Sequence, residues 1–201
     1  MTARNEPPTE PAVSGTTTAA WRRDEEVICV DRDDNEVGPV SRIAAHGLDC
    51  SLHRAFMVLL IDEAGRLVLC RRSEHKLLWP LYWADTCAGH PRPGEDILEA
   101  ARRHLQEEVG CAAELNSLGH FVYRAQYQGI GCEHELCHVF AGRTCGDLSP
   151  NPAEVSEIAF FDPKHLDILM RERPQDFVPW LVTCLRTFPA SAFVAASEKF
   201  Q

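Results

Sequence analysis

Apolar and polar positions alternate in short blocks along most of this chain, and the blocks are bounded by glycine, proline and aspartate. Residues 1–24 are rich in Pro, Thr and Ala with little to bury, which predicts a disordered tail. Residues 26–31 (around VICV) read as a strand, and Asp33–Asn35 as a turn. Residues 42–53 are polar at both ends and read as a loop. The apolar run 55–62 predicts a core strand, with Gly65 turning the chain into a hairpin partner at 66–71. After a loop at 73–80, residues 83–86 form a short strand before a turn at 89–93. Residues 96–109 carry helical spacing and stop at Gly110. Two alternating stretches, 118–128 and 133–143, flank a turn, and 158–161 is a further strand. Residues 164–171 and 177–187 look helical, and 191–201 reads as a C-terminal tail. Strands mixed with helices predict an α/β or α+β sandwich, a mixed sheet between helices, as one domain over 25–190.

Composition narrows the class of partner. The net charge of −10 argues against nucleic acid and anionic membranes. An anionic small molecule would then need a local basic pocket. The longest apolar run, 56–61, is strand-sized, so neither a signal peptide nor a membrane span is expected. The cysteine count, nine, is odd and the spacing shows no disulfide framework, which predicts free thiols in the cytoplasm.

The most informative stretch is 89–111. A glycine-rich turn opens a helix whose positions 104, 107 and 108 share one face. Glu107 and Glu108 stand side by side near the helix C-terminus, where the dipole prefers cations. A hard divalent cation bridging to phosphate oxygens would compensate them. Gly89, Glu95, Arg103, Leu105, Glu107, Glu108, Gly110 and Cys111 fall in register with the Nudix box, G-x5-E-x7-R-E-U-x-E-E-x-G-U. His104 is the polar departure, standing where the box has Glu. A second constellation is His46, His53, His90, Glu133 and Glu135. The two glutamates are two apart on a predicted strand and so project from one face. Three imidazoles and two carboxylates suit an octahedral divalent metal such as Mg²⁺, Mn²⁺ or Zn²⁺. The residues alone leave their convergence open, and His120, His134 and His138 read equally well as surface histidines.

From about 26 to 185 the chain resembles the type I isopentenyl-diphosphate isomerases, a branch of the Nudix superfamily. The resemblance runs through Ile43-Ala-Ala-His46 with His53, Arg71-Arg72, Trp79-Pro80, Trp83, Gly89-His90-Pro91, Tyr123-Arg124-Ala125, Glu133-His-Glu135-Leu-Cys137 and Pro179-Trp180. It implies a Nudix fold and a prenyl diphosphate substrate. It implies His46, His53, His90, Glu133 and Glu135 as metal ligands, with Glu108 assisting a second Mg²⁺ on the diphosphate. Arg72 and Lys76 would grip the diphosphate, with Arg42 where the family often has Lys and Arg71 as a lesser member. Trp83 and Trp180 would wall the apolar end, where an aromatic face stabilises a carbocation. Glu135, helped by Tyr123, would protonate the alkene, and a Cys two residues before His90 would deprotonate the opposite face.

That last position is Ala88, whose methyl group moves no proton. Cys87 is one residue earlier and, in extended chain, points to the other side; it has a ready structural role as a buried small residue. A positioned acid–base group contributes about 10²–10⁴-fold in rate. Four readings follow: an isomerase-like enzyme of isoprenoid biosynthesis, a proton-initiated prenyl-diphosphate cyclase or hydratase, a Nudix diphosphohydrolase weakened by His104, and a non-catalytic prenyl-diphosphate binder.

Overall fold

The computed structural model describes residues 25–144 and 146–198, and the expected N-terminal tail lies outside them. Its centre is β3, His53–Ile61, nine residues of which all but Arg54 are buried. Burial on both faces explains its unbroken apolar run. Around it lie β1 (Glu26–Val30), β2 (Glu36–Ser41), β4 (Leu67–Arg72), β5 (Trp83–Ala84) and β6 (Cys87–Gly89). The sheet runs β2-β1-β3-β4-β5, and β6 pairs antiparallel with β3. The long hairpin β7 (Leu115–Tyr127) and β8 (Gly131–Arg143) joins through β8, which is parallel to β3. The last strand, β9 (Val155–Phe161), pairs with β4.

Alternation along β3 feeds two cores. Met57, Leu59 and Ile61 face a cluster completed by helices α3 (Pro163–Glu172), α4 (Pro179–Thr187) and α5 (Ala190–Ser197). Phe56, Val58 and Leu60 face α2 (Ile97–Val109), which contributes Ala100, Ala101, Leu105 and Val109. The Asp96 side chain accepts from the amides of Leu98 and Glu99 at the α2 N-terminus. Gly110 closes the helix at φ 66°, a left-handed conformation that favours glycine. The fold is therefore a mixed sheet with helices on both faces, of the α+β kind.

Several expectations change. β2 contains Gly38 and Pro39, which mask its pattern, but it is the edge strand, where proline is tolerated. The loop at 42–53 opens with a one-turn helix, α1 (Arg42–Ala45), capped by the Ser41 side chain. The turn at 89–93 begins as β6. The tail expected at 191–201 is, through Ser197, helix α5 with Phe193 fully buried. Its small apolar side chains lack the polar face that marks a helix in sequence. The expectation of free thiols also fails in part. Cys50 and Cys132 form a disulfide between residues 82 apart in sequence, because the loop after α1 folds over the start of β8.

Candidate active site

The parallel pairing of β3 with β8 places His53 directly beside Glu135. His90 follows β6, whose Gly89 pairs with Phe56 of the same central strand. His46 caps α1, and its carbonyl accepts from the Cys132 amide at the start of β8. Four chain segments thus converge. The ligand atoms of His46, His53, His90 and Glu135 all lie within 4.8 Å of one another, one such group among the described residues. His53 Nε2 is 3.1 Å from His90 Nε2, and Glu135 Oε1 is 3.0 Å from His90 Nε2 and 3.6 Å from His53 Nε2. Bonds of about 2.1 Å in an octahedral shell put neighbouring donors about 3.0 Å apart, which matches.

The tautomers make the same point. His46 Nδ1–H donates to the Arg42 carbonyl at 2.7 Å, and His53 Nδ1–H to that of Ser51 at 2.8 Å. The carbonyls hold each Nδ1 and turn each Nε2 inward, where burial works against the charged imidazole of His46 but Glu133 and Glu135 outweigh it and raise His46 above the usual imidazole range. Burial pushes His90 well below the usual imidazole range, keeping it neutral. Three imidazole nitrogens and a carboxylate oxygen gathered this closely could hold a cation. Glu133 lies outside this tight group but touches it, its Oε2 3.0 Å from His46 Nε2. The donor set fits a divalent metal.

Glu135 has two engagements. Oε1 faces the histidines, while Oε2 accepts from the Tyr123 hydroxyl at 2.6 Å. Burial raises the Tyr123 phenol well above its ordinary range, and the neighbouring carboxylates add to this, so it stays protonated and donates. Both groups line a narrow pocket of about 60 Å³ that also takes in Phe56, Ala88, Cys137 and Trp180. Arg42, Lys76 and Ala88 line both this pocket and a wider cleft of about 500 Å³. Glu107 and Glu108 line that cleft, with Arg92, Arg103 and His104.

Arg72 is held by its backbone acceptors, donating to the carbonyls of Trp79 (3.0 Å) and Leu78 (2.8 Å). These lie in a tight loop where Trp79 (φ 49°) and Leu81 (φ 65°) are left-handed, a strain that such bonds help to hold. The Arg72 guanidinium carbon lies 5.2 Å from the Trp180 ring. Lys76 pairs with Glu154, and Arg42 with Glu25 at 2.7 Å. His104 Nδ1 contacts Glu108 Oε1 at 3.0 Å. Burial pushes the Glu108 carboxyl up, but Lys76 and His104 outweigh it and hold the group below its usual range. The His104 ring lies so close to Gly89 that a Cβ there would meet its atoms at 2.6–2.9 Å.

Three expected site residues, Arg71, Trp83 and Cys87, lie outside the lining of this pocket. Arg71 points away from the pocket, to Glu157 (3.5 Å) and the Leu81 carbonyl (2.9 Å). It neighbours Arg72 on a strand, so the two side chains take opposite faces. Trp83 packs on Phe161 at 5.4 Å, outside the pocket lining. Cys87 is buried in the α2 core, on the far face from Glu135. The sequence reading quoted Cys137 within the Glu133–Cys137 motif but gave it no place in the site, although it is two residues from Glu135 and so on the same face. It also missed Asp85, a fully buried acid that accepts from Trp180 Nε1–H at 2.7 Å.

A NUDIX domain matches over residues 51–181. The isopentenyl-diphosphate Delta-isomerase of Frankia alni is 40% identical over 171 residues, covering 84% of this chain and 88% of that protein. Isopentenyl-diphosphate Delta-isomerase 1 of Aromatoleum aromaticum is 41% identical, covering 81% and 91%. The chain belongs to the Nudix isopentenyl-diphosphate isomerase family. Among solved structures, DR0079 from Deinococcus radiodurans superposes with a TM-score of 0.66 at 22% identity, over 81% of this chain and 98% of that one. A MutT NUDIX hydrolase from Burkholderia pseudomallei gives 0.53 at 20% identity, over 68% and 97%. These two show the Nudix fold alone.

Proposed function

We propose that this protein is an isopentenyl-diphosphate isomerase-like enzyme that binds a prenyl diphosphate with a divalent metal and protonates its alkene. The observation that carries the reading is Glu135. One carboxylate oxygen lies among three histidines and the other accepts the hydrogen bond of the Tyr123 hydroxyl, inside a pocket lined by Trp180. His46, His53, His90 and Glu135 would hold Mn²⁺, Mg²⁺ or Zn²⁺, with Glu133 completing the set. The metal would supply positive charge that keeps the Glu135 carboxylate oriented and tunes its acidity. Glu108 would assist Mg²⁺ on the diphosphate.

The remaining work falls to side chains. Arg42, Arg72 and Lys76 face the anionic end, and their charges make a local basic rim in an acidic protein. Glu135 delivers a proton to the alkene, and Tyr123 holds the carboxylate in place and re-supplies it. Trp180 presents its π face to the positive charge that develops on the substituted carbon. Phe56, Leu78 and Trp180 give that carbon an apolar wall. The small pocket volume favours a short prenyl chain.

Ala88 supports a second reading of the product. Its methyl group lines the pocket where, by the resemblance, the family's proton acceptor would stand, so the cation would have an altered route to collapse, by ring closure or hydration. Turnover of isopentenyl and dimethylallyl diphosphates with Mg²⁺ in heavy water tests both readings. Deuterium is expected in the product, with diphosphate retained and the label lost in Glu135→Gln. Products free of deuterium, or release of phosphate alone, would remove the reading in favour of a diphosphohydrolase or a binder.

A further inference from the structure

The pocket has a second compartment. Ala88 lines both the pocket of Glu135 and a small cavity of about 20 Å³ behind it. Asp85 lines that cavity with Arg72, Lys76, Cys87 and Glu108. Asp85 is 1% exposed, and only one of its oxygens is accounted for. Oδ1 accepts from Trp180 Nε1–H, while Oδ2 has no hydrogen-bond partner among the described residues. Support of an indole N–H needs one acceptor, and an amide would serve equally well. A buried carboxylate with a second, unsatisfied oxygen beside a space the size of one water is an arrangement with a surplus proton acceptor.

We infer that Asp85, acting through one water molecule in this cavity, is the proton-transfer group on the Ala88 side of the pocket and replaces the thiol that the chain lacks there. The inference rests on the prenyl diphosphate reading above. After Glu135 has protonated the alkene, the water takes a proton from the carbon next to the cation. The C–H electron pair becomes the new double bond, and the water passes one of its own protons to Asp85 Oδ2. Asp85 enters the step ionised and leaves it neutral, then returns its proton to solvent.

The thiols nearby are poor substitutes. Burial pushes the Cys87 thiol well above its ordinary range, and Cys137 likewise, the latter on the same strand face as Glu135. Burial also raises Asp85, against the Trp180 hydrogen bond, to about 7, close to the value that suits a general base at neutral pH. The charged groups felt by this carboxyl are Arg72 of β4, which lowers it, and Glu108 of α2, which raises it. Cys70, Cys87, Cys137 and Cys184 are the thiols that feel its charge in turn.

The test is a double-mutant cycle on the full chain with Mg²⁺ and isopentenyl diphosphate. Asp85→Asn should lower kcat by about 10²-fold in the wild-type background, with KM nearly constant. In the Ala88→Cys background, where a thiol stands on the same wall, the same substitution should cost at least about tenfold less. Asn keeps an acceptor for Trp180, so melting temperature and tryptophan fluorescence report whether the fold is retained. Equal penalties in both backgrounds would reduce Asp85 to a support for Trp180 and overturn the inference. Turnover confined to Ala88→Cys would overturn it too, leaving the reading of the site intact. No turnover in either protein would remove that reading as well.

Discussion

The histidine group and the α2 helix both concentrate ionisable side chains, but they balance charge in opposite ways. On α2 the charges satisfy one another. Arg103 forks onto Glu95 with two contacts of 2.8 Å and reaches Glu107 at 3.4 Å, while His104 faces Glu108. Around Glu135, His46 and His53 have their Nδ1 atoms on backbone carbonyls, and the Nε2 atoms of His46, His53 and His90 turn toward one another and toward the Glu133 and Glu135 carboxylates. The first arrangement is stable as it stands and shapes the wall of a cleft. The second is a donor set that could hold a metal ion. A run of carboxylates in sequence is thus a weaker sign of a metal centre than a set of oriented lone pairs in space.

The largest effect that sharpens this contrast is at Glu135. Glu135→Gln removes the proton source, and kcat should fall by about 10²–10⁴-fold. Titration calorimetry with an unreactive prenyl diphosphate analogue should show binding retained, since the cationic rim is untouched. Glu107→Gln, on the half-exposed side of α2, should change kcat by less than about threefold. Similar losses for the two would erase the distinction between the regions.

Metal removal comes next. A ligand that binds only the folded state stabilises it by about 2.7 kcal/mol at a hundred times its Kd. Saturating Mn²⁺ should therefore raise the melting temperature by several degrees, and a chelator should reverse it. His53→Ala should abolish that rise, whereas His104→Ala should leave most of it. A rise that survives His53→Ala would place the ion elsewhere.

The pH dependence of stability should be smaller and carries a definite sign. Asp85 titrates at about 7 in the fold against an ordinary value of 3.8, so the folded state binds more protons than the unfolded chain between those values. Its contribution is present below about pH 4 and is lost as pH rises through 7. Melting temperature should accordingly fall from pH 5 to pH 8 more steeply in wild type than in Asp85→Asn. Parallel slopes would show that this carboxyl is not desolvated as described.

The smallest effect is expected at Glu95, whose carboxyl the Arg103 hydrogen bonds hold down at about 2. The pair is partly exposed, so Glu95→Gln should cost only about 0.5–1 kcal/mol in denaturant unfolding. That contribution should be present above about pH 4.5 and lost as pH falls through 2. A loss several times larger would mean that the fork organises the Gly89–Glu95 turn rather than the helix surface.

What the sequence made legible follows from how local each signal is. The apolar run of β3, the caps Asp96 and Gly110 of α2 and the alternation of β7 and β8 are fixed by neighbours in the chain, and they stand where expected. From the residues alone, His46, His53, His90 and Glu135 were legible only as types suited to a metal, and their grouping came from the resemblance; the pairing of β3 with β8 and with β6 is what brings them together. β2 hid behind Gly38 and Pro39, and α5 behind a uniformly apolar composition. The Cys50–Cys132 bond depends on a loop closing over a distant strand, and no spacing rule reports that. Asp85 is the sharpest case, since a lone acid in the short strand expected at 83–86 carries no signal of its own until the indole of Trp180, 95 positions away, is seen to rest on it.

Mn²⁺ loaded into the metal-free protein gives the most direct test, read by pulsed electron paramagnetic resonance of the bound ion. The expected spectrum shows couplings from three directly bound imidazole nitrogens, falling to two in His53→Gln. A bound ion with no nitrogen coupling would move the metal to the carboxylates of α2 and contradict the account.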